Sequence, residues 1–253
     1  MKLHMVQWDI IWENPERNRN TIDTLLANDD ICPGDLVVLP ETCLTGFTHN
    51  RDFAADNNQA DRNYFAGVAA RLGVTLVSGT IEDSQNVALV HGPTGDLLAR
   101  YVKQQPFRHG GEIWHAGEKP VVFDWNGIRV SPFICYDLRF PELFRAAAAQ
   151  WQPELMLVIA SWPIARIHHW TRLLTARAIE NQCYVCAVNR IGIDANGNAY
   201  SGDTAAIDPR GEYIAHFNDG AEHVHTVVFS RDALEDFREK FPVLRDADGF
   251  SCD

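Results

Sequence analysis

About 18 consecutive apolar residues make a membrane-spanning helix, and no such run occurs in this 253-residue chain. The opening stretch, MKLHMVQWDIIWENPE, has no small-residue cleavage site behind an apolar core, so no secretory signal is expected. The chain has no internal repeat and no low-complexity linker, and its length suits one α/β domain spanning residues 1–253. Disulfide spacing is also missing. Cys32, Cys43, Cys135, Cys183, Cys186 and Cys252 are irregularly placed, and a chain of this size needs no covalent staples. They read as reduced thiols of a cytoplasmic protein. Basic residues are scarce, 22 against 34 acidic ones, for a net charge of −12. That balance argues against a nucleic-acid partner. It leaves a small anionic substrate open, because one local cation overrides the global field. The C-x-x-C letters at 183–186 sit in a strand-like run, CYVCAVN, without a turn or a second pair. They read as core cysteines rather than a metal or redox site, and no metal is expected.

What is present is a steady alternation of strand and helix signals. LHMVQWDI alternates as a strand and ERNRNTIDTLLAN follows as a helix. DLVVLP is a short, nearly continuous apolar run, as in a strand buried on both faces. DRNYFAGVAARLG has helical spacing and a stop at Gly73. TLVSGTI, NVALVHG and DLLARYVKQ are strands, the last two joined by GPTG. VVFDWNGIRVSPFIC is a hairpin closed by Asn126-Gly127, a pair suited to the two positive-φ positions of a tight turn. PELFRAAAAQ then opens a helix with proline in its first turn. The strand LMLVIAS, the helix HHWTRLLTARAIENQ, four further strands and a last helix, DALEDFREKF, complete the chain. The mixture of β-α-β units and hairpins predicts an α/β fold with mixed sheets covered by helices.

Three residues at strand ends are candidates for one site. Cys135 closes the strand RVSPFIC and precedes a turn into a helix. Such a corner lifts a nucleophile above a sheet and aims the following N–H, that of Tyr136, at the same space. A buried structural cysteine is the competing reading. A free cysteine thiol titrates near pH ~8.5 and is mostly protonated at neutral pH, so it needs a base. The ten histidines scatter, and none stands out. Glu41, just past the strand DLVVLP, is the best carboxylate: it either caps a turn or does chemistry. Lys103 follows LLARYV. It either hydrogen-bonds a developing oxyanion or protects a sheet edge.

LPETCLTGF, then YVKQQPF, then ICYDLRFPE bring a glutamate, a lysine and a cysteine in that order. The set resembles the nitrilase superfamily of carbon–nitrogen hydrolases. The resemblance continues through ASWP, HWTRLLTARAIENQCYVCAVNRIG, SGDTAAIDPRGE and REKFP, so it covers nearly the whole chain. The tail FREKFPVLRDAD points to the omega-amidase, or 2-oxoacid amidase, branch. The resemblance implies a four-layer α-β-β-α sandwich with no metal or organic cofactor, and pairing of two copies through the helical layer. It implies Glu41 as general base, Lys103 as oxyanion partner, Cys135 as nucleophile and the Tyr136 N–H as a second oxyanion donor. A second glutamate after the lysine is usual, and Glu112 is the candidate. Pro106 and Gly110-Gly111 depart from the usual pattern before it.

The implied reaction is hydrolysis of the terminal amide of a small 2-oxo acid through a cysteine thioester. Phe47 and Trp162 are candidate pocket walls, although ordinary core aromatics are an equal reading. Arg108, Arg166 and His109 are candidates to clamp a substrate carboxylate. Rival readings are another amidase, nitrilase or N-carbamoyl amidohydrolase; a glutaminase that uses histidine as base; and a non-catalytic module. Arg177, Glu180 and Asn181 read as scaffold, since the first two share a helix face. Asp137, Arg139 and Glu142 read as local ion pairs fixing the turn, and DANGNAY as a surface loop, with the border of the site entrance as its other reading.

Overall fold

Period-two alternation decides the architecture. The structure, a computed structural model, describes residues 2–246, without the side chains of positions 56 and 57. Cys252 and the end of the FREKFPVLRDAD tail lie outside the described residues. The elements of the first half are β1 (Leu3–Gln7), α1 (Pro15–Ala27), β2 (Leu36–Val38), α2 (Arg51–Leu72), β3 (Thr75–Glu82), β4 (Gln85–His91) and β5 (Leu97–Val102). The second half runs β6 (Phe123–Trp125), β7 (Ile128–Ile134), α3 (Pro141–Trp151), β8 (Leu155–Ala160), α4 (Ile167–Asn181) and β9 (Tyr184–Asn189). It continues with β10 (Ile191–Ile193), β11 (Ala199–Ser201), β12 (Thr204–Ile207), β13 (Tyr213–Phe217), β14 (His223–Val227) and α5 (Arg231–Lys240).

Two six-stranded sheets result, ordered β14-β1-β2-β3-β4-β5 and β13-β12-β9-β8-β7-β6. In β2, Leu36 and Val38 join the large core between the sheets, while Val37 packs into the core under α1 and α2. Leu3 and Met5 of β1 make the same choice against Val6. A one-residue slip would exchange every such pair between faces. Each fully buried Leu or Val contributes about 1.5–3 kcal/mol, so the register is strongly held. On the second sheet, α4 packs on β9 and β12 and lies against α3. The layers are therefore helix, sheet, sheet, helix, as the resemblance implied.

The halves share one plan. In each, three parallel strands are joined by two helices: β1, β2, β3 in the first and β7, β8, β9 in the second. Two antiparallel strands extend one side, and an antiparallel edge strand flanks the other. Strand ends from both sheets thus meet at one end of the sandwich, where ligand sites of parallel sheets usually form.

Local chemistry sets the boundaries. Asn126 and Gly127 both have positive φ, 51° and 84°, so the hairpin closes as expected. Pro141 starts α3, where its missing N–H leaves no bond unmade. α2 begins ten residues before the expected helix, because Asn50 caps it by accepting from the Phe53 N–H at 3.2 Å. Cys183 and Cys186 are buried in the core, and the five described cysteines are all free thiols. None of the described helices is long and apolar enough to cross a membrane.

Candidate active site

Glu41 follows β2 and is fully buried. Its turn is pressed against β3 at Gly79, where a Cβ would fall 2.5 Å from the Pro40 carbonyl oxygen and 2.6 Å from the Glu41 Cα. Only glycine lets the two backbones approach this closely. Thr42, the next residue, has φ +46°, and its carbonyl accepts from the Gly46 N–H at 2.8 Å. Lys103 follows β5, fully buried, with its own N–H donating to the Asn86 carbonyl at 2.9 Å.

These two side chains meet. Lys103 Nζ donates to Glu41 Oε1 and to Glu112 Oε2, both at 2.8 Å. Asn86 Nδ2 donates to Glu41 Oε1 at 2.8 Å and to Glu112 Oε1 at 3.1 Å, tying the carboxylates together. The Ser161 N–H, just past β8, donates to Glu41 Oε2 at 2.8 Å, and the Phe107 N–H to Glu112 Oε2 at 2.5 Å. Burial pulls the Lys103 ammonium down, but the two carboxylates outweigh it and its pKa ends above the ordinary lysine value. Lys103 is thus held protonated between two anions.

Cys135 stands at the end of β7 with φ +46°, a conformation that costs a non-glycine residue about 1–3 kcal/mol. The turn Cys135–Arg139 that follows is held from two sides. Asp137 Oδ2 accepts from the Ile134 N–H at 3.1 Å, and Oδ1 from the Gln105 N–H at 2.8 Å. Tyr101 donates its hydroxyl to Oδ2 at 2.8 Å. Asp137 therefore fixes the turn through backbone and hydroxyl donors rather than the ion pair expected, and it links the strand that ends at Cys135 to the segment after Lys103. Its burial raises the carboxyl to about 7, against the lowering effect of Lys103 and these donors. From beneath, Arg177 Nη2 donates to the Leu138 carbonyl at 2.7 Å and Nη1 pairs with Glu180 at 2.9 Å, the scaffold role read from the sequence. Burial, and then the Glu41 carboxylate, push the Cys135 thiol well above its ordinary value, while Lys103 pulls it back. The strongest charges acting on this sulfur are carboxylates and an ammonium, not a histidine.

A cavity of about 290 Å³ opens over Cys135. Phe47 and Trp162 wall it, as expected, and Lys103 Nζ lies 5.3 Å from the Phe47 ring centre. Tyr136, His109 and Arg166 also line it. Arg108 does not: its Nη1 donates back to the Glu112 carbonyl at 2.7 Å, which corrects its expected place in the pocket. Four residues at or behind the cavity wall were not singled out for the site in the sequence. Arg139 faces the cavity instead of pairing locally, stacked 4.5 Å over Trp162. Asn198 and Tyr200 reach it from the β10–β11 hairpin, so of the two readings of DANGNAY it is the segment bordering the site that holds, not the plain surface loop. Buried Asn189 accepts from the Trp162 N–H at 2.7 Å and donates to the Trp162 carbonyl at 3.0 Å, which fixes that wall. A polar residue ending an apolar strand is the only trace Asn189 leaves in the sequence.

A buried acid–ammonium–acid cluster beside a strained cysteine, at strand ends of a four-layer sandwich, defines a thiol hydrolase. The family model for carbon-nitrogen hydrolases matches residues 2–239, and the chain belongs to that family. It is 37% identical to the omega-amidase YafV of Yersinia enterocolitica, over 99% of this chain and 98% of that protein. It is 30% identical to the 2-oxoglutaramate amidase of Bacillus subtilis, over 95% of each. Among solved structures, a CN-hydrolase superfamily protein of Xanthomonas campestris, with an arsenic adduct in its active site, superposes with a TM-score of 0.92. It is 35% identical, with 100% of this chain and 99% of that one covered.

Proposed function

We propose that the protein is an omega-amidase, hydrolysing the terminal amide of a small 2-oxo acid such as 2-oxoglutaramate to the carboxylate and ammonia. The observation that carries this reading is the convergence of Glu41, Lys103 and Glu112 behind Cys135, which itself lines a cavity sized for a molecule of a few carbons. Drug-sized ligand pockets begin at about 300 Å³.

Glu41 takes the thiol proton as Cys135 attacks the amide carbon. Because the thiol is held above its ordinary value, little thiolate exists beforehand, and proton removal belongs to the attack itself. An ammonium has three donors. Glu41 and Glu112 occupy two on Lys103, leaving one for the developing oxyanion, with the Tyr136 N–H as its companion. Glu112 keeps Lys103 charged and aimed. The C–N bond breaks as Glu41 returns its proton to the departing nitrogen, and ammonia leaves. Water, deprotonated by Glu41, then attacks the thioester carbon; the C–S bond breaks, the carboxylic acid product leaves, and Glu41 returns the proton to the Cys135 sulfur. No step in this sequence calls on a metal or an organic cofactor.

The remaining parts of the reading are organisational. The whole chain, 1–253, acts as one catalytic domain in the cytoplasm, where its free thiols stay reduced. Two copies pair through the α4 layer. Ile179 of α4 is 50% exposed there, and exposed Tyr213 lies across the same helix with its hydroxyl donating to the Thr171 carbonyl at 3.2 Å. Ile179→Glu should then shift the mass measured by light scattering from dimer to monomer.

The direct test is ammonia release from 2-oxoglutaramate, simple nitriles and N-carbamoyl amino acids, with Cys135→Ala as the blank. 2-Oxoglutaramate should lead the panel by about tenfold or more, and the blank should be silent. An active Cys135→Ala protein, or a nitrile in first place, would overturn the assignment.

A further inference from the structure

We infer that Asp194 makes the β10–β11 wall of the cavity a hydrogen-bond acceptor surface, with Asn198 as the specificity-determining residue whose Oδ1 receives an N–H of the substrate's primary amide. This rests on the amidase reading and goes beyond it by naming what tells an amide from an ester or a nitrile.

Asp194 is buried behind the hairpin wall and does not itself line the cavity. Its carboxylate accepts from four neutral donors. Oδ1 takes the N–H groups of Asn196 and Asn198, both at 2.9 Å. Oδ2 takes Asn198 Nδ2 at 3.0 Å and the Tyr200 hydroxyl at 2.8 Å. The neighbouring Arg190 pairs with Asp9 instead, at 2.7 Å. Burial works against the Asp194 charge, but the Asn198 and Tyr200 side chains and the two backbone donors outweigh it and hold the carboxyl below the usual carboxylate range. An ionised carboxylate only accepts, so the direction of every bond to it is fixed.

That direction decides what the cavity meets. Asn198 and Tyr200 both line it. Tyr200 has one hydroxyl hydrogen and gives it to Asp194, so its oxygen keeps only lone pairs. Asn198 turns the nitrogen end of its amide to Asp194, which leaves the oxygen end over. That oxygen accepts from no donor among the described residues. Elsewhere the cavity carries donors, the guanidinium groups of Arg139 and Arg166. In a 2-oxoglutaramate-like substrate the oxo and carboxylate groups only accept, and the terminal amide holds all the N–H groups. An acceptor wall therefore fits the amide end. The wall is also near the reacting atoms: Cys135 and the Tyr200 hydroxyl are close enough to act on each other electrostatically, and Asn198 shares a carboxylate oxygen with that hydroxyl. It is braced from the first sheet as well. Arg190 lies 4.7 Å from the Tyr200 ring centre and its Nη2 donates to Asp9, whose backbone bridges Ile191.

The experiment compares 2-oxoglutaramate with the 5-methyl ester of 2-oxoglutarate, which delivers the same acyl group to Cys135 but carries no N–H. It uses the full-length wild type and the Asn198→Leu and Asp194→Asn variants. Asn198 is exposed, so its replacement spares the core. The amide-to-ester ratio of kcat/KM should fall by about 5–10-fold in Asn198→Leu. It should fall by about 2–3-fold in Asp194→Asn, whose own NH₂ lets Asn198 turn its oxygen away from the cavity. Loss of fold would lower both rates together and leave the ratio unmoved. In parallel, calorimetry measures both compounds on Cys135→Ala with and without Asn198→Leu; the amide should lose more affinity than the ester. An unchanged ratio in Asn198→Leu overturns the proposal, as does amide binding that ignores Asn198. If the wild type hydrolyses neither compound while amide binding to Cys135→Ala still depends on Asn198, the amidase reading fails and the acceptor wall stands.

Discussion

Behind Cys135 lies a buried floor that does not itself line the cavity: Lys103 touches two carboxylates, and both oxygens of Glu41 and of Glu112 accept hydrogen bonds from the protein itself. At the rim, Arg139 and Arg166 lie on aromatic rings with no anion beside them among the described residues. The floor is saturated from within and the rim is left incomplete. Groups that must not move during the reaction are held by each other, because a preorganised polar cluster costs no reorganisation when charge develops. The rim arginines make no ion pair among the described residues; Arg139 spends one donor on His169 Nδ1 at 3.2 Å.

The hardest way to break this contrast is to empty the floor. Lys103→Met leaves Glu41 and Glu112 facing each other without a counter-ion, and breaking a buried pair this way costs about 3–5 kcal/mol. Turnover should vanish and the urea midpoint should drop, both measured on one preparation. Glu41→Gln is milder for the fold, yet loss of the base should slow ammonia release by about 10²–10⁴-fold. The same change removes an anion that raises the Cys135 thiol and leaves Lys103, which lowers it. Thiolate absorbance should therefore appear at lower pH in Glu41→Gln than in wild type. A thiol that titrates higher would contradict the charge arrangement.

Beneath the floor, Asp137 predicts a pH dependence. Its folded pKa, about 7, lies above the unfolded value of 3.8, so the folded state binds the proton more tightly. That contribution is complete below about pH 4 and is lost as pH rises through 7. Asp137→Asn has no such proton. Its stability relative to wild type should rise by on the order of 3–4 kcal/mol from about pH 4 to pH 8, seen as a narrowing gap in urea midpoints. At the rim, His109 is exposed and its only ring neighbour among the described residues is Phe107, with centroids 6.2 Å apart. His109→Ala should change KM by no more than about threefold; a larger loss would place it with the arginines.

Legibility followed the same divide. Cys135 and Glu41 could be read because each ends an apolar strand where the local pattern breaks. Lys103 could not be separated from an edge lysine by spacing, and only the family resemblance singled it out. Glu112 joined the cluster although Pro106 and Gly110 disturb the expected pattern, because the Phe107 N–H fixes its carboxylate through a contact five residues long. Arg139 was misread. A charged residue between Asp137 and Glu142 suggests local pairing, and nothing in that stretch reveals that Asp137 turns inward to Tyr101. Asn86 and Tyr200 arrive from distant strands, and no local pattern announces a contact made across the fold. The matching plan of the two sheets was equally hidden, since it is shared in strand order and not in residues.

That matching plan has a consequence for how activity is acquired. The segments after β2 and β5 bring Glu41, Lys103 and Glu112, and those after β7 and β8 bring Cys135 and the main-chain donor at Ser161. A chain with one sheet formed and the other loose holds reactants that never meet. Catalysis therefore switches on only once the two halves have docked, and ammonia release during refolding would time that last event more sharply than any spectroscopic signal from the individual layers.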